Sequence, residues 1–385
     1  MHIVADANLA LLPQTFARHG RITTIPGRDI CAEQVREADV LLLRSVTRAG
    51  AELLEGSRVR FVGTATIGTD HLDLAYLAER DIAWANAPGC NADAAAQYAL
   101  AMASLACERL GRKLQDQTVG IIGYGNVGSR LQRLLNVLGI VSVACDPPLA
   151  DAGMSGLVSL EKALSQPLVS LHVPLANDGP CPTVHMMNRD TLAAMRDGTL
   201  LVNTARGDVV DAGALKKELL SGRLHAALDV WPGEPQLDPE LLAASLVATP
   251  HVAGYSLEGK RNGTLMIYTA FCRWRGISPH AADIQEQAGP VYRLDNHPDV
   301  VSLLLGACSG VHADDDSMRA ILRRPAHLGA TAFDRLRRDY RLRRDFSAWT
   351  LSGVPAQLRP KLAALGFRLS TQQTRQAIAP STQNG

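Results

Sequence analysis

Short, largely apolar runs alternate with helix-length amphipathic stretches through most of this chain, and this pattern restricts the fold more than any other feature. The runs that we predict as strands cover residues 39–43, 60–64, 82–86, 118–122, 140–145, 168–172, 199–203, 225–229 and 246–249. Strands that are apolar on both faces and separated by helices are typical of a parallel sheet covered on both sides. The sequence therefore predicts an α/β fold with a Rossmann-like, doubly wound parallel sheet.

A chain of 385 residues is too long for one ordinary domain, so two or three domains are expected. The Ala-rich stretch over 93–109 predicts a long helix. After about residue 283 the alternation fades. There Phe333, Leu336 and Tyr340 fall on one face of a predicted helix whose other faces carry Arg335, Arg337, Arg338, Arg341, Arg343 and Arg344. We predict a small C-terminal α+β domain over 284–385 with a disordered tail.

The composition argues against several classes of protein. Charged residues make up 20% of the chain and the net charge is +1, so a global attraction to nucleic acid or to an acidic membrane is not expected. Asp334, Asp339 and Asp345 lie between the C-terminal arginines, which favours a solvated or subunit-facing helix. The seven scattered cysteines lack a C-x-x-C pair, so we expect reduced thiols and no metal site. Without a leader or a long apolar run, a soluble, cytoplasmic protein is expected.

A glycine-rich turn is the strongest local motif. Gly123, Gly125 and Gly128 have the spacing G-x-G-x-x-G, directly after the predicted strand that ends at Ile122 and at the start of a predicted helix over 126–138. The three glycines permit a tight turn, a close backbone approach to a pyrophosphate, and close packing of the helix on the strand. The helix N-terminus offers unpaired N–H groups to the phosphates. The motif predicts a dinucleotide site.

The choice of dinucleotide depends on the end of the next strand. Asp146 lies 18 residues beyond Gly128, where a carboxylate can accept hydrogen bonds from the ribose hydroxyls. Pro147 and Pro148 follow it in place of the arginine or lysine that would favour a 2′-phosphate. A chance turn with a surface aspartate is the alternative, and the strand, helix and aspartate together argue against it. The sequence predicts NAD as the cofactor.

Three polar residues follow predicted strands further along the chain. Arg206 has a fork that suits a substrate carboxylate, although it could instead cap a helix or pair with Asp208. Glu234 lies in a loop between two prolines, where it is either a positioned group or a solvated carboxylate. His251 directly follows a strand, and imidazole is the side chain suited to proton transfer near neutral pH. Together they could bind a substrate carboxylate through Arg206 and transfer a proton through His251, with the carboxylate of Glu234 adjusting the pKa of the imidazole.

Several motifs occur in an order that resembles the D-isomer-specific 2-hydroxyacid dehydrogenases. The resemblance runs from about residue 38 to 270 and is carried by Thr66–Asp70, Asn86–Asn91, Arg206–Leu215, Asp229–Pro235 and Thr249–Gly254. A narrower resemblance, to members that act on a small phosphorylated 2-hydroxy acid, is carried by Leu42–Thr47, His251–Ser256 and the Arg-rich Tyr340–Phe346.

The resemblance implies roles for individual residues. It implies that Arg206, Glu234 and His251 are the catalytic set. The residues expected at NAD are Gly123, Gly125, Asn126, Val127, Gly128, Asp146, Asp229 and Gly254. The residues expected at the substrate are Ser45, Thr66 and Tyr255, with Arg44 as a phosphate partner on charge grounds. For Ser45 and Thr66 the alternative is a loop hydroxyl that bonds to backbone. Gln97 replaces a glutamate that many relatives have, which leaves the contacts there open.

The resemblance also implies an organisation of the chain. It implies a flavodoxin-like, split substrate-binding domain over 1–92 and 253–283, an NAD-binding domain over 93–252, and homodimerisation through 284–385. Closure between the two larger domains would exclude water from the reaction. Two alternatives stay open. One is another 2-hydroxyacid dehydrogenase, for example one acting on 3-phosphoglycerate, although no βαββαβ module is found after residue 283. The other is a dinucleotide-sensing, corepressor-like interaction protein.

Overall fold

The computed structural model describes residues 1–280, 288–294, 299–325 and 329–370. Three sheets, each entirely parallel, follow one another along the chain. Helices cover the two larger sheets, because their strands are apolar on both faces and must be shielded from water. The predicted α/β class is confirmed. The predicted C-terminal tail lies outside the described residues from 371 onward.

The first sheet is built from the N-terminal part of the chain. Its strands are β1 His2–Asp6, β2 Arg21–Ile25, β3 Val40–Leu43, β4 Phe61–Thr64 and β5 Ala83–Ala85. The helices between them are α1 Leu12–Phe16, α2 Ala32–Val35, α3 Ala51–Leu54 and α4 Leu74–Glu79. The spatial order is β2-β1-β3-β4-β5, which is the flavodoxin-like order that the resemblance implied. Polar residues that follow β1, β3 and β4 therefore meet at one edge.

The second sheet carries the glycine-rich turn. Its strands are β6 Val119–Ile122, β7 Ser142–Cys145, β8 Leu168–Leu171, β9 Leu200–Asn203, β10 His225–Leu228 and β11 Val247–Ala248. Its helices are α5 Ala92–Arg109, α6 Asn126–Leu138, α7 Pro147–Asp151, α8 Leu160–Leu164, α9 Arg189–Ala193, α10 Ala212–Leu220 and α11 Pro239–Ala244. The spatial order is β11-β10-β9-β8-β6-β7, so the direction of winding reverses beside β6. A crevice outside the carboxyl ends of β6 and β8 results, where α/β sheets bind ligands.

The remaining elements return to the first sheet and then form a small third layer. Helix α12, Leu257–Arg275, packs on β4 and β5. The elements that follow are β12 Val291–Arg293, α13 Val300–Ser309, α14 Val311–Arg319, α15 Gly329–Arg338, β13 Thr350–Ser352, α16 Arg359–Ala364 and β14 Arg368–Leu369. Helix α13 packs on α5, and one continuous apolar core joins this region to the second sheet. No helix in the described part of the chain has the length and hydropathy needed to cross a membrane.

The C-terminal arginines are the main correction to the sequence analysis. Helix α15 ends at Arg338, so Tyr340, Arg341, Arg343 and Arg344 are not on the predicted helix. Arg343 is buried, with only 6% of its surface exposed, and Arg344 is half-buried. The prediction of a solvated or subunit-facing helix is therefore wrong for this stretch. The physical reason is that backbone carbonyls and carboxylates elsewhere in the chain satisfy the guanidinium groups.

Arg343 shows how such burial is compensated. Its Nε donates to the Tyr255 carbonyl at 3.1 Å, and its Nη2 donates to the carbonyls of Val252 (3.2 Å) and Ala253. The guanidinium also lies 4.4 Å from the centre of the Tyr98 ring. Arg343 thus fastens the C-terminal region to the segment that directly follows His251.

We expect Arg343→Met to lower the free energy of unfolding by about 3 kcal/mol, because buried carbonyls lose their donor. Denaturant titration of the full chain measures this. Arg338→Met is the matched control, since that exposed arginine pairs with its neighbour Asp339 alone among the described residues and is expected to leave stability nearly unchanged. Equal denaturation midpoints for the two variants would contradict the structural role of Arg343.

Candidate active site

The three polar residues singled out above all follow strands of the second sheet, at its carboxyl edge. Arg206 comes after β9, Glu234 after β10 and His251 after β11. The structure brings Glu234 and His251 into direct contact, with Oε1 of Glu234 against Nδ1 of His251. The second oxygen, Oε2 of Glu234, accepts a hydrogen bond from the Trp231 backbone N–H at 3.1 Å. Both carboxylate oxygens are therefore held, and so is the plane of the imidazole.

The electrostatic setting keeps Glu234 ionised. Burial alone raises the pKa of this carboxyl, but the charge and hydrogen bond of His251 and the charge of Arg337 outweigh burial, so the pKa lies below its usual value. An ionised carboxylate on Nδ1 favours the tautomer with its proton there. Nε2 of His251 is then the ring nitrogen that can accept a proton.

Arg337 is a member of the site that the sequence analysis placed on a solvated helix face. Its Nη1 lies 3.8 Å from Oε1 of Glu234, and its Nη2 donates to the Tyr255 hydroxyl at 3.4 Å. The side chain is 13% exposed, and its guanidinium lies 5.7 Å from the centre of the Phe333 ring, one helical turn earlier. The i, i+4 spacing from Phe333 was the available signal that Arg337 shares the apolar face.

The backbone at His251 is held in an uncommon conformation. Its φ is +56°, in the left-handed region, which costs a non-glycine residue about 1–3 kcal/mol. The His251 N–H donates to the Asp229 carbonyl at 2.7 Å. The fully buried Asp229 carboxylate accepts from the Thr249 hydroxyl and from the N–H groups of Val252 and Ala253. Asp229 therefore shapes the loop that carries His251, and its contact with NAD stays a prediction.

Arg206 lies between the first and second sheets. Its Nη2 and Nε donate to Oδ2 of Asp70 at 3.1 and 3.2 Å, and its Nη1 donates to the Ala205 carbonyl at 2.8 Å. Asp70 belongs to the loop after β4, so this ion pair spans the cleft. The alternative pairing with Asp208 is not the one that the structure shows. A substrate carboxylate at Arg206 would share the guanidinium with Asp70 or displace it.

The glycine-rich turn is open on the side where a pyrophosphate is expected. An added Cβ at Gly125 would meet nothing within 4 Å, whereas one at Gly128 would lie 2.0 Å from the Gly123 carbonyl oxygen. Helix α6 begins at Asn126, and its N-terminus has no side-chain cap. Its first N–H groups are therefore available to an anion. The turn fits the phosphates of NAD.

Asp146 stands beside this turn. Its Oδ2 accepts from the Tyr124 N–H at 2.8 Å and its Oδ1 from the Leu149 N–H at 3.1 Å. A carboxylate has about four acceptor positions, so two remain for ribose hydroxyls. Val127 and Gly254 are half-buried. These features fit an adenosine ribose and leave the individual contacts as predictions.

Of the residues expected at the substrate, Arg44, Ser45 and Thr66 lie at the edge of the first sheet, and Tyr255 lies in the segment after β11. Arg44 follows β3 and pairs through Nε with Oδ2 of the fully buried Asp6 at 2.9 Å. Ser45 is exposed. The Thr66 hydroxyl donates to the Gly68 carbonyl at 3.0 Å, which is the backbone bond considered as the alternative for this residue. Tyr255 follows His251 and receives the hydrogen bond from Arg337.

Gln97 links the long helix α5 to the C-terminal region. The Gln97 amide oxygen accepts from the Phe346 N–H at 3.0 Å, so α5 is bonded to the C-terminal region there. A glutamate would offer the same acceptor. The replacement of glutamate by Gln97 therefore leaves this contact in place.

His71, beside the Asp70–Arg206 pair, gives an expected pH dependence. Nε2 of His71 lies 2.8 Å from the Thr64 hydroxyl, and burial lowers the His71 pKa from 6.5 to about 4. As pH falls below 6.5 the unfolded chain takes up this proton first, so the free energy of unfolding should decrease by about 3 kcal/mol between pH 6.5 and 4. Denaturant titrations across this range should show a smaller decrease for His71→Gln than for the exposed control His312→Gln. Parallel pH profiles for the two variants would exclude this role.

Comparison with known proteins shows the family to which this chain belongs. Residues 92–253 match the family model "D-isomer specific 2-hydroxyacid dehydrogenase, NAD binding domain", which confirms the NAD prediction, and residues 294–366 match a domain of unknown function (DUF3410). Among solved structures, a protein of Thermus thermophilus has a TM-score of 0.63 at 25% identity, over 74% of this chain and 100% of that one. A 3-phosphoglycerate dehydrogenase of Entamoeba histolytica has a TM-score of 0.64 at 22% identity, over 72% of this chain and 95% of that one, and shows the fold.

The curated relatives match almost end to end. An erythronate-4-phosphate dehydrogenase of Hahella chejuensis is 43% identical over 97% of this chain and 100% of its own length. The enzyme of that name from Pseudomonas paraeruginosa is 45% identical over 96% of this chain and 100% of its own length. These relatives cover more of this chain than the Thermus thermophilus structure, which covers 74% of it. The chain therefore belongs to the erythronate-4-phosphate dehydrogenases, within the D-isomer-specific 2-hydroxyacid dehydrogenase family.

Proposed function

We propose that this chain oxidises 4-phospho-D-erythronate to 3-hydroxy-2-oxo-4-phosphooxybutanoate, with NAD as cofactor, as a step of pyridoxine 5′-phosphate (vitamin B6) biosynthesis. The observation that carries the proposal is the Glu234–His251 pair at the carboxyl edge of the NAD-binding sheet, with Arg206 in the same cleft. Relatives that match over the whole length support the choice of substrate.

His251 is the general base of the proposed reaction. Its Nε2 accepts the proton of the C2 hydroxyl, while Nδ1 stays bonded to Glu234. As the imidazole becomes charged, the ionised Glu234 stabilises it without taking up the proton. NAD, when bound, supplies the acceptor for the hydride from C2. His251 and, to a smaller extent, Arg337 hold the pKa of Glu234 below its usual value, so the carboxylate is ionised.

Arg206 is proposed to bind the substrate carboxylate and to polarise the carbonyl that forms at C2. A guanidinium presents parallel N–H groups in a planar fork, which matches a carboxylate. Because Asp70 occupies two of these donors, substrate binding is coupled to the position of the loop after β4. Closure of the first sheet over the second would bring this loop toward the substrate. Unchanged scattering profiles on adding NAD and a substrate analogue would count against closure.

The remaining cofactor and substrate residues of the proposal lie mainly in segments that follow the carboxyl ends of strands. In the proposal Gly123–Gly128 and Asp146 hold the pyrophosphate and ribose of NAD, while Asn126, Val127, Asp229 and Gly254 lie along the same cofactor. Ser45, Thr66 and Tyr255 contact the substrate, with Arg44 beside the phosphate. The division into 1–92 with 253–283, 93–252 and 284–385 is part of the proposal, supported by the three separate sheets.

We also propose a cytoplasmic homodimer that forms through residues 284–385. Free cysteines support a reducing compartment. The edge strand β12 leaves Val291 69% exposed, which favours contact with a second copy. Sedimentation equilibrium should give twice the chain mass, and Val291→Lys should shift the equilibrium toward monomer. A wild-type monomer at micromolar concentration would overturn the dimer.

The direct test is NADH formation by the purified chain with a panel of 2-hydroxy acids. We expect 4-phospho-D-erythronate to give the highest kcat/KM, above 3-phosphoglycerate and above unphosphorylated acids. A preference for 3-phosphoglycerate would assign the chain another dehydrogenase activity. Tight NAD binding without turnover of any acid would favour a dinucleotide sensor.

A further inference from the structure

Lys260 lies near the cleft, and no motif in the sequence assigns it a role. It is in the first turn of α12, which packs on the first sheet. One turn later, Gly263 is so close to the loop after β4 that an added Cβ would lie 2.9 Å from the Ala65 carbonyl oxygen. Residues at i and i+3 share a helix face. Lys260 therefore faces the edge of the sheet at which the loop bearing Thr66 begins.

Lys260 has no acidic partner in the described part of the chain, where no carboxylate lies within ion-pair distance of its ammonium group. Its Nζ lies 5.6 Å from the centre of the Tyr255 ring, whose hydroxyl accepts from Arg337. Burial lowers the pKa of Lys260, and the charge of Arg44 lowers it further. The lysine is thus half-buried, near the positive charge of Arg44, and without an anion among the described residues.

The nearby arginines differ from Lys260 in this respect. Arg44 has Asp6 as its partner, and Arg337 has Glu234. A half-buried ammonium group with positive neighbours is unfavourable unless an anion joins it. A phosphate dianion offers both the charge and the acceptor oxygens, and lysine is well suited to bind one as a compact point charge.

We propose that Lys260 binds the phosphate group of the substrate, next to Tyr255 and Arg44, and so determines the preference for phosphorylated over unphosphorylated hydroxy acids. The proposal rests on the proposed function, because it places the phosphate of a 2-hydroxy acid. Tyr255 is four residues after His251, so the proposed phosphate site and the proposed base at the C2 hydroxyl belong to neighbouring parts of one segment. The carboxylate lies toward Arg206 and the phosphate toward Lys260.

Lys260→Met tests this role, because it removes the charge and keeps an unbranched side chain. The matched control is Lys217→Met, which removes an exposed lysine on α10. For each protein kcat/KM is measured with 4-phospho-D-erythronate and with D-erythronate, together with NAD binding and the thermal midpoint. We expect Lys260→Met to lose about 10- to 100-fold with the phosphorylated acid and less than about threefold with the other. Lys260→Arg should recover part of the loss.

The outcomes separate this inference from the proposed function. Equal losses on both acids, or no loss on the phosphorylated one, would overturn the role of Lys260 while the dehydrogenase activity stands. Absence of wild-type turnover would overturn the proposed function instead. In that case titration with inorganic phosphate decides the inference, since Lys260→Met should weaken phosphate binding about tenfold or more relative to wild type and Lys217→Met. Equal phosphate binding by all three proteins would overturn it.

Discussion

Replacement of His251 by glutamine is expected to lower kcat for 4-phospho-D-erythronate by about 10²- to 10⁴-fold, the usual contribution of a positioned general base. Glutamine can still fill the space beside Glu234, but it cannot take up the hydroxyl proton. Steady-state NADH formation measures the effect. Because the contacts that hold His251 are made to Asp229 and Glu234, in the loop after β10, and not to the glycine-rich turn, the variant should still bind NAD, and fluorescence titration with NADH checks this.

The pair can be tested as a unit with Glu234→Gln. An amide cannot stabilise the charged imidazole as a carboxylate does, so kcat should fall and the pH dependence of kcat should move. The double variant should lose little more than His251→Gln alone, since residues that act together are not additive. A kcat within tenfold of wild type for His251→Gln would exclude it as the base.

Replacement of Arg206 by alanine is expected to lower kcat/KM by at least about 100-fold, because two charge-assisted hydrogen bonds to the substrate carboxylate are lost. Arg206→Lys should restore only part of this, since an ammonium group lacks the planar fork. Steady-state kinetics over a range of substrate concentrations separates the loss in KM from the loss in kcat.

Asp70→Ala is the matched control for this prediction, because it removes the other half of the ion pair across the cleft. If Arg206 acts on the substrate, Asp70→Ala should keep kcat/KM within about tenfold of wild type. If the ion pair only holds the two sheets together, both variants should lose activity and stability equally. Equal losses would therefore contradict the assignment of Arg206 to the substrate.

Local sequence patterns were sufficient for the central part of the fold. The nine predicted strands occur within one or two residues of the predicted bounds, and α6 spans the predicted 126–138. Burial on both faces gives such strands a continuous apolar pattern that needs no knowledge of distant contacts. Strands β1 and β2 were not predicted. The second of them is an edge strand in which no residue is fully buried, so its apolar pattern is weak.

Site residues that belong to contiguous motifs could be predicted from the sequence. Site residues brought together from distant segments could not. Asp70 and Lys260 reach the cleft from separate parts of the chain, and no spacing in the sequence relates them to Arg206 or Arg44. The prediction of a solvated helix for the arginines around residue 340 was wrong for the same reason. Partners such as the Val252 carbonyl lie about ninety positions earlier, so their burial depends on tertiary contacts that a charge pattern does not record.

The central claim is that the chain removes a hydride from C2 of 4-phospho-D-erythronate. Incubation of the wild-type enzyme and NAD with substrate carrying deuterium at C2 tests it most directly, with mass spectrometry of the reduced cofactor. The account predicts one deuterium in each molecule of NADH formed, and a 2-oxo acid without the label. Unlabelled NADH, or a label that remains in the acid, would contradict the account.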